Sequence, residues 1–129
     1  MKMCIMVAYF LHKERGFAPM QFMGSLYVAD SLTATQYKVI EKVHKSKLVP
    51  NLYLVALSIN PDNMLDLIPE WEALQKGYPK DDLKVIGIAN GKKEAVTLVK
   101  CIIEDSVVHT GSADVRPFLK MKWEEQACR

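Results

Sequence analysis

Cysteine is scarce in this chain of 129 residues. The three present, Cys4, Cys101 and Cys128, are odd in number and far apart, with no CxxC pair and no Cys/His cluster. That excludes a disulfide framework and a zinc site built on cysteine, and it fits a reduced, cytoplasmic setting. A catalytic cysteine needs a base and an electropositive setting, and the spacing supplies neither. His12, His44 and His109 are equally scattered, without HxxxH or HExxH spacing, so no metal is expected. The phosphate-loop pattern GxxxxGK[ST] is absent, because no glycine stands five residues before Gly91 and Lys93 is followed by Glu94; GxGxxG is absent too. Ser58, Ser106 and Ser112 lack a GxSxG context. No cofactor is expected, and no catalytic residue is assigned. Internal repeats, low-complexity tracts and Gly/Ser linkers are missing as well, which leaves one domain.

Long apolar runs are also lacking. Met3 to Leu11 is the one conspicuous stretch, preceded by Lys2 and followed at once by His12, Lys13, Glu14 and Arg15. It is too short to span a bilayer, and a small-residue cleavage site is missing, since Gly16, Phe17, Ala18 and Pro19 follow charges. Three readings stand: an extra edge strand, a loosely packed apolar extension, or translated sequence upstream of a start at Met20 or Met23. The last two are preferred over an essential strand. Residues 1–22 are therefore set apart from a single α/β domain over 23–129, and deleting them is expected to leave the melting temperature within a few degrees.

What is present is an ordinary globular composition, half hydrophobic and a quarter charged, with a net charge of +2. That charge is too small to imply nucleic acid, but its distribution is uneven. Residues 36–49 carry Lys38, Lys42, Lys45 and Lys47 against Glu41, whereas residues 61–82 carry Asp62, Asp66, Glu70, Glu72, Asp81 and Asp82 against Lys76 and Lys80. Two solvated faces are the plain reading; a complementary contact between two copies of the chain is the sharper one.

Along the chain, Leu26 to Ala29 is a short β-type run. Thr33 to Gln36 has capping-box form, and a helix follows with Gln36, Tyr37, Ile40, Val43 and His44 on one face and Lys38, Lys42 and Lys45 on the other. Pro50 and Asn51 end it. Leu52 to Ser58 reads as a central strand covered on both faces. After the turn cluster Asn60-Pro61-Asp62-Asn63, the alternation of Leu65 and Leu67 predicts a hairpin, with a helix from Pro61 as the competing reading. Glu70 to Gln75 reads as a short helical turn with Trp71 and Leu74 inward, and residues 77–82 as a loop. Leu83 to Ala89 is a second buried strand, in which Gly87 marks close approach of a helix or ligand.

The helix predicted from Lys92 to about Thr110 carries Ala95, Val96, Val99, Ile102, Ile103 and Val107 on one stripe. Leu98, Cys101 and Val108 form a weaker stripe on its back. Two apolar sides need two covers, the sheet and a C-terminal helix presenting Val115, Phe118, Leu119 and Trp123. Gly111 fits a left-handed C-cap, Asp114 an N-cap, and Pro117 the first turn of that last helix. The expected fold is α/β of the α+β type: a mixed four-stranded sheet in the order β-α-β-β-(short α)-β-α-α, with helices packed on it. It lies close to the ferredoxin-like order βαββαβ with an added helix. A small doubly wound parallel sheet is the alternative and requires residues 64–75 to be one helix.

The strand-to-helix turn Asn90-Gly91-Lys92-Lys93 is the candidate site. Free first-turn amides, the helix dipole and two lysines suit a phosphate, in the place where open α/β sheets bind ligands. The competing reading is ordinary turn framework. His44 reads as a satisfied, partly buried histidine, and His109 as a last-turn imidazole favoured by the dipole. Glu70 and Glu72 flank Trp71, but residues two apart point away from each other on a helix. Asp114 and Arg116 read as capping and pairing groups. The Lys38/Lys42/Lys45 stripe lacks arginine and aromatic company, since Tyr37 is expected on the core side, and Glu41 pairs with Lys45; nucleic acid is not expected. The functional expectation is a small cytoplasmic, non-catalytic binding or assembly module whose partner is a second copy or another protein. Its interface is expected at Leu98, Cys101, Val108, Phe118 and Trp123. The alternative is a domain or enzyme that binds a phosphorylated small molecule at Asn90, Gly91, Lys92 and Lys93. Neither a metal nor a membrane is expected.

Overall fold

The structure, a computed structural model, describes residues 4–6, 21–58, 60, 62–75, 78 and 83–127. His12, Cys128, Pro61 and, within the 77–82 loop, Gly77 and residues 79–82 lie outside the described residues, as does most of the expected extension.

Among the described residues five strands form one mixed sheet: β1 (Cys4–Met6), β2 (Gln21–Val28), β3 (Leu52–Leu57), β4 (Leu65–Pro69) and β5 (Lys84–Asn90). Their spatial order is β1-β2-β5-β3-β4. β2 and β5 run parallel, while β1–β2, β5–β3 and β3–β4 are antiparallel. A 3-10 segment (Asp30–Thr35) leads into α1 (Gln36–His44), and α2 (Glu70–Ala73) follows β4 directly. α3 (Lys92–Thr110) and α4 (Val115–Ala127) close the chain. The fold is α+β with a mixed sheet, and the expected order from β2 to α4 is present. The sheet has five strands rather than four, because Cys4–Met6 adds an antiparallel edge to β2. β2 opens at Gln21, and Phe22 is buried, so the boundary set between residues 22 and 23 falls inside a strand.

The helices cover both faces. Leu32, Val39, Ile40, Val43 and Ala73 from the 3-10 segment, α1 and α2 pack on one side with Leu26, Leu54, Val85 and Ile88. Ala95, Leu98, Ile102, Val115, Phe118 and Leu119 from α3 and α4 pack on the other with Tyr27, Val55, Ile86 and Ala89. The doubly wound alternative fails at residues 64–75. Leu65–Pro69 pairs antiparallel with β3, and the helix after it shrinks to one turn. A strand is favoured there because Leu65 and Leu67 reach the α3/α4 side while Ile68 reaches the other, so alternation gives both cores a side chain.

Three local expectations are corrected. The Thr33–Gln36 capping box does not form: the Thr33 hydroxyl donates to the Ala29 carbonyl at 3.4 Å, and the Gln36 amide donates to the Thr33 carbonyl at 3.0 Å. The chain winds as a 3-10 segment through Thr33, so the α-helix begins three residues later. Tyr37 is 52% exposed, because α1 buries Gln36, Val39, Ile40 and Val43 instead. In α2, Glu70 and Ala73 face the sheet three residues apart, which turns Trp71 outward and leaves it 57% exposed.

α3 runs over the expected residues and ends as expected. Gly111 adopts a left-handed conformation (φ 77°) and its N–H donates to the Val107 carbonyl at 2.8 Å. Its two apolar stripes, however, merge into one broad arc of Ala95, Leu98, Cys101, Ile102 and Ser106, while Val96 and Val107 turn to solvent. The rotation follows from a close contact. Across the β3–β5 ladder Val55 faces Gly87 and Ala56 faces Val85, which leaves Ile86 as a bulged residue. Ile86 and Gly87 then both face α3, and Leu98 settles into the space left by the missing Cβ of Gly87.

Candidate functional site

The parallel strands β2 and β5 end together, beside the start of β3 and of α3, and polar side chains collect there. Gly91 turns the chain from β5 into α3 with φ 86° and ψ 157°, a conformation almost restricted to glycine. Its N–H donates to the Asn51 carbonyl at 2.7 Å. The Asn51 side-chain amide donates to the Asn90 side-chain oxygen at 3.0 Å. Glu94, in the first turn of α3, reaches back: its Oε1 accepts the Asn90 N–H at 3.0 Å and the Ser31 hydroxyl at 2.8 Å. Lys92 and Lys93 are exposed.

The turn is thus closed on itself. A carboxylate of the same chain stands in the first turn of α3, near the positive end of the helix dipole, where its charge opposes a phosphate. Asn51 and Ser31 had no place in the sequence reading, because the residues they meet are 39 and 63 positions away.

The other candidates are spread over the molecule. The His44 ring lies 5.0 Å from that of Phe22. His109 Nδ1 donates to the Asp105 carbonyl at 2.8 Å, and the ring stacks on Phe118 at 5.4 Å. The buried Tyr27 hydroxyl donates to Asp105 Oδ2 at 2.7 Å, joining β2 to α3; a tyrosine in an apolar strand needs such a partner for its hydroxyl. Asp114 caps α4 by accepting the Arg116 N–H at 3.1 Å, and it accepts the Arg116 guanidinium at 3.0 Å through each carboxylate oxygen. Those bonds, the guanidinium's first, hold the Asp114 carboxyl below its usual value. Ser106 is buried and donates to the Ser112 carbonyl at 2.8 Å, and Ser58 Oγ accepts the Asn60 N–H at 3.1 Å. No group of three His, Cys, Asp or Glu side chains among the described residues is arranged to hold a metal ion.

Of the five residues expected at an interface, Leu98, Cys101 and Phe118 are buried within the chain. Trp123 is half-buried, with the Lys84 ammonium 5.6 Å from its ring centroid, and Val108 is 79% exposed. The second cover that α3 needed is α4 of the same molecule.

The least ordinary environment belongs to Glu70. Its side chain is fully buried at the junction of β4 and α2. Oε1 accepts the Val49 N–H at 2.5 Å, while Oε2 meets no hydrogen-bond partner among the described residues. Burial pushes its carboxyl above the usual range, against the opposing pull of the Val49 hydrogen bond. This bond clamps the α1–β3 loop to α2. Directly beside its two ends stand Leu48 and Trp71, each 57% exposed. That exposure leaves on the order of 100 Å² of indole in water, or about 2–3 kcal/mol of burial not realised within the chain.

Compared with known proteins, the chain matches no family model, no curated sequence and no solved structure. No helix among the described residues is long and apolar enough to cross a membrane.

Proposed function

We propose that this protein is a non-catalytic assembly module that acts in the cytoplasm and associates with a second copy of itself. One observation carries the reading: the described surface is uneven in charge and also bares large apolar side chains, Leu48 and Trp71 among them. Lys38, Lys42, Lys45 and Lys47 are exposed in the basic segment, and in the acidic one Asp62 is exposed and Asp66 and Glu72 are half-buried. The burial of Leu98, Cys101 and Phe118 moves the expected interface away from α3 and leaves charge asymmetry as its motive. Sedimentation at micromolar concentration is expected to show a dimer that weakens as salt is raised, because exposed opposite charges are screened. A monomer at every concentration and at low salt overturns the reading.

A second reading, a phosphorylated small molecule held at Asn90, Gly91, Lys92 and Lys93, rests on the glycine turn and its two exposed lysines. The Glu94 carboxylate at the same helix start counts against it. Titration with inorganic phosphate, followed by amide NMR shifts, is expected to give no saturable change at residues 91–94. Saturable shifts confined to that turn would restore this reading and start a search for an activity.

A further inference from the structure

We propose that Asn90–Gly91 is a deamidation site that the native fold holds shut, with Asn51 as its lock. Of the chain's four asparagines, Asn51, Asn60, Asn63 and Asn90, only Asn90 precedes glycine. Glycine leaves its own backbone nitrogen unshielded, because no Cβ stands beside it. In the reaction the Gly91 nitrogen bonds to Asn90 Cγ and gives up its proton. The side-chain NH2 leaves with a proton as ammonia, which closes a five-membered succinimide ring. Water then opens the ring. Cleavage of the new bond between Cγ and nitrogen gives aspartate; cleavage of the original peptide bond gives isoaspartate, whose main chain runs through Cβ and Cγ. In sum, a carboxamide and a water become a carboxylate and an ammonium ion, with no oxidant or reductant. Asn90 and Asn51 are both exposed, so water reaches the pair.

Each group that must move is tied. Asn90 ends β5 in an extended conformation, paired with Leu52. Ring closure needs the Gly91 nitrogen eclipsed with the Asn90 Cβ, a rotation that extended backbone does not have. The Gly91 N–H, whose proton must leave, is donated to the Asn51 carbonyl at 2.7 Å, and a carbonyl is too weak a base to take it. The Asn90 carboxamide, which must swing onto that nitrogen, accepts the Asn51 side-chain amide at 3.0 Å. The Asn90 N–H is held by Glu94, also at 3.0 Å. Asn51 thus grips both reacting groups at once. It does so from a left-handed conformation (φ 66°), which strains a residue with a Cβ and which asparagine tolerates better than most. Deamidation puts a negative charge at position 90, close to the Glu94 carboxylate, and the isoaspartate form lengthens by one carbon the turn that Asn51 holds.

The test incubates the full chain at mildly alkaline pH, folded in buffer and unfolded in guanidinium chloride, and follows the mass of tryptic peptide 85–92. The unfolded chain is expected to exchange NH2 for OH at Asn90 at least about tenfold faster than the folded one. Asn51→Gly keeps the left-handed backbone and removes the side-chain bond. It is expected to speed the reaction of the folded protein about tenfold. Phe118→Ala weakens the core where Phe118 stacks on His109, at the far end of α3, and measures what lost stability alone does. Its reaction is expected to be slower than that of Asn51→Gly. Should Asn51→Gly melt as low as Phe118→Ala, a rate no higher than that variant's overturns the lock. An Asn51→Gly rate equal to the wild type's does the same. A folded wild type that reacts as fast as the unfolded chain overturns the protection, and an unfolded chain without the mass gain overturns the site.

Discussion

Replacing Gly87 with valine is expected to lower stability by about 3 kcal/mol or more, a fall of roughly 10 °C in Tm for a domain of this size. A Cβ built at this position stands 2.9 Å from Leu98 Cδ2, 3.1 Å from the Tyr27 carbonyl oxygen and 3.3 Å from Tyr27 Cβ. The leucine tip can turn aside, but the Tyr27 carbonyl belongs to the parallel ladder between β2 and β5 and has nowhere to go. Gly87→Ala is therefore expected to cost less than the valine, because only one atom must be accommodated. Branching at Cβ drives two further methyl groups into the seam between β5 and α3. Thermal unfolding of the two variants beside the wild type measures the difference. A valine variant as stable as the wild type would mean that α3 does not sit on Gly87 as described.

Glu70 is expected to give opposite results for two substitutions. Glu70→Ala leaves the Val49 N–H without its acceptor and opens a cavity under α2, at a cost of about 2–4 kcal/mol. Glu70→Gln keeps an oxygen for Val49 and removes the buried charge, so it is expected to stabilise the protein at neutral pH by about 1 kcal/mol. The pH dependence follows from the direction of the shift. Burial holds the folded-state value above that of the unfolded chain. In acid, below the unfolded value, both states keep the proton and the charge costs nothing. As pH rises past that value the unfolded chain releases its proton while the folded chain retains it, so this group's contribution falls. The loss levels off once pH has passed the raised folded value. The advantage of glutamine should therefore be absent in acid, grow through that window and stay constant above it. Denaturant unfolding of both proteins across pH isolates the effect, since every other carboxylate is common to them. An advantage that is independent of pH would show that Glu70 does not titrate differently on folding.

Both residues show where sequence reasoning ran out. Gly87 was legible as a point of close approach, because glycine inside an apolar strand has few other uses; its neighbour Leu98 was not, and it was assigned to the back of α3. The stripe on α3 was chosen from which residues are apolar. A helix covered by both a sheet and another helix buries an arc wide enough to include Ser106 and exclude Val107. Glu70 was read as one of two acidic residues beside a tryptophan, with the tryptophan inward. One turn of helix has too few residues for periodicity to decide which of them faces the sheet. The pairing of Asn51 with Asn90 and of Ser31 with Glu94 crosses separations that no local pattern spans.

Local information by itself determined the elements: the strands around Leu54 and Ile86, the hairpin to Leu67, the long helix with its Gly111 cap, and the Asp114 start of α4. Each depends on backbone preference and on alternation within a few residues, both of which are written in neighbouring positions. Only the tertiary structure decided which faces were spent inside the molecule. It buried Leu98, Cys101 and Phe118, brought Trp71 out, enclosed Glu70 and placed the Glu94 carboxylate at the helix start offered to a phosphate. The physical reason is that burial is a property of two surfaces meeting, and the second surface lies elsewhere in the chain.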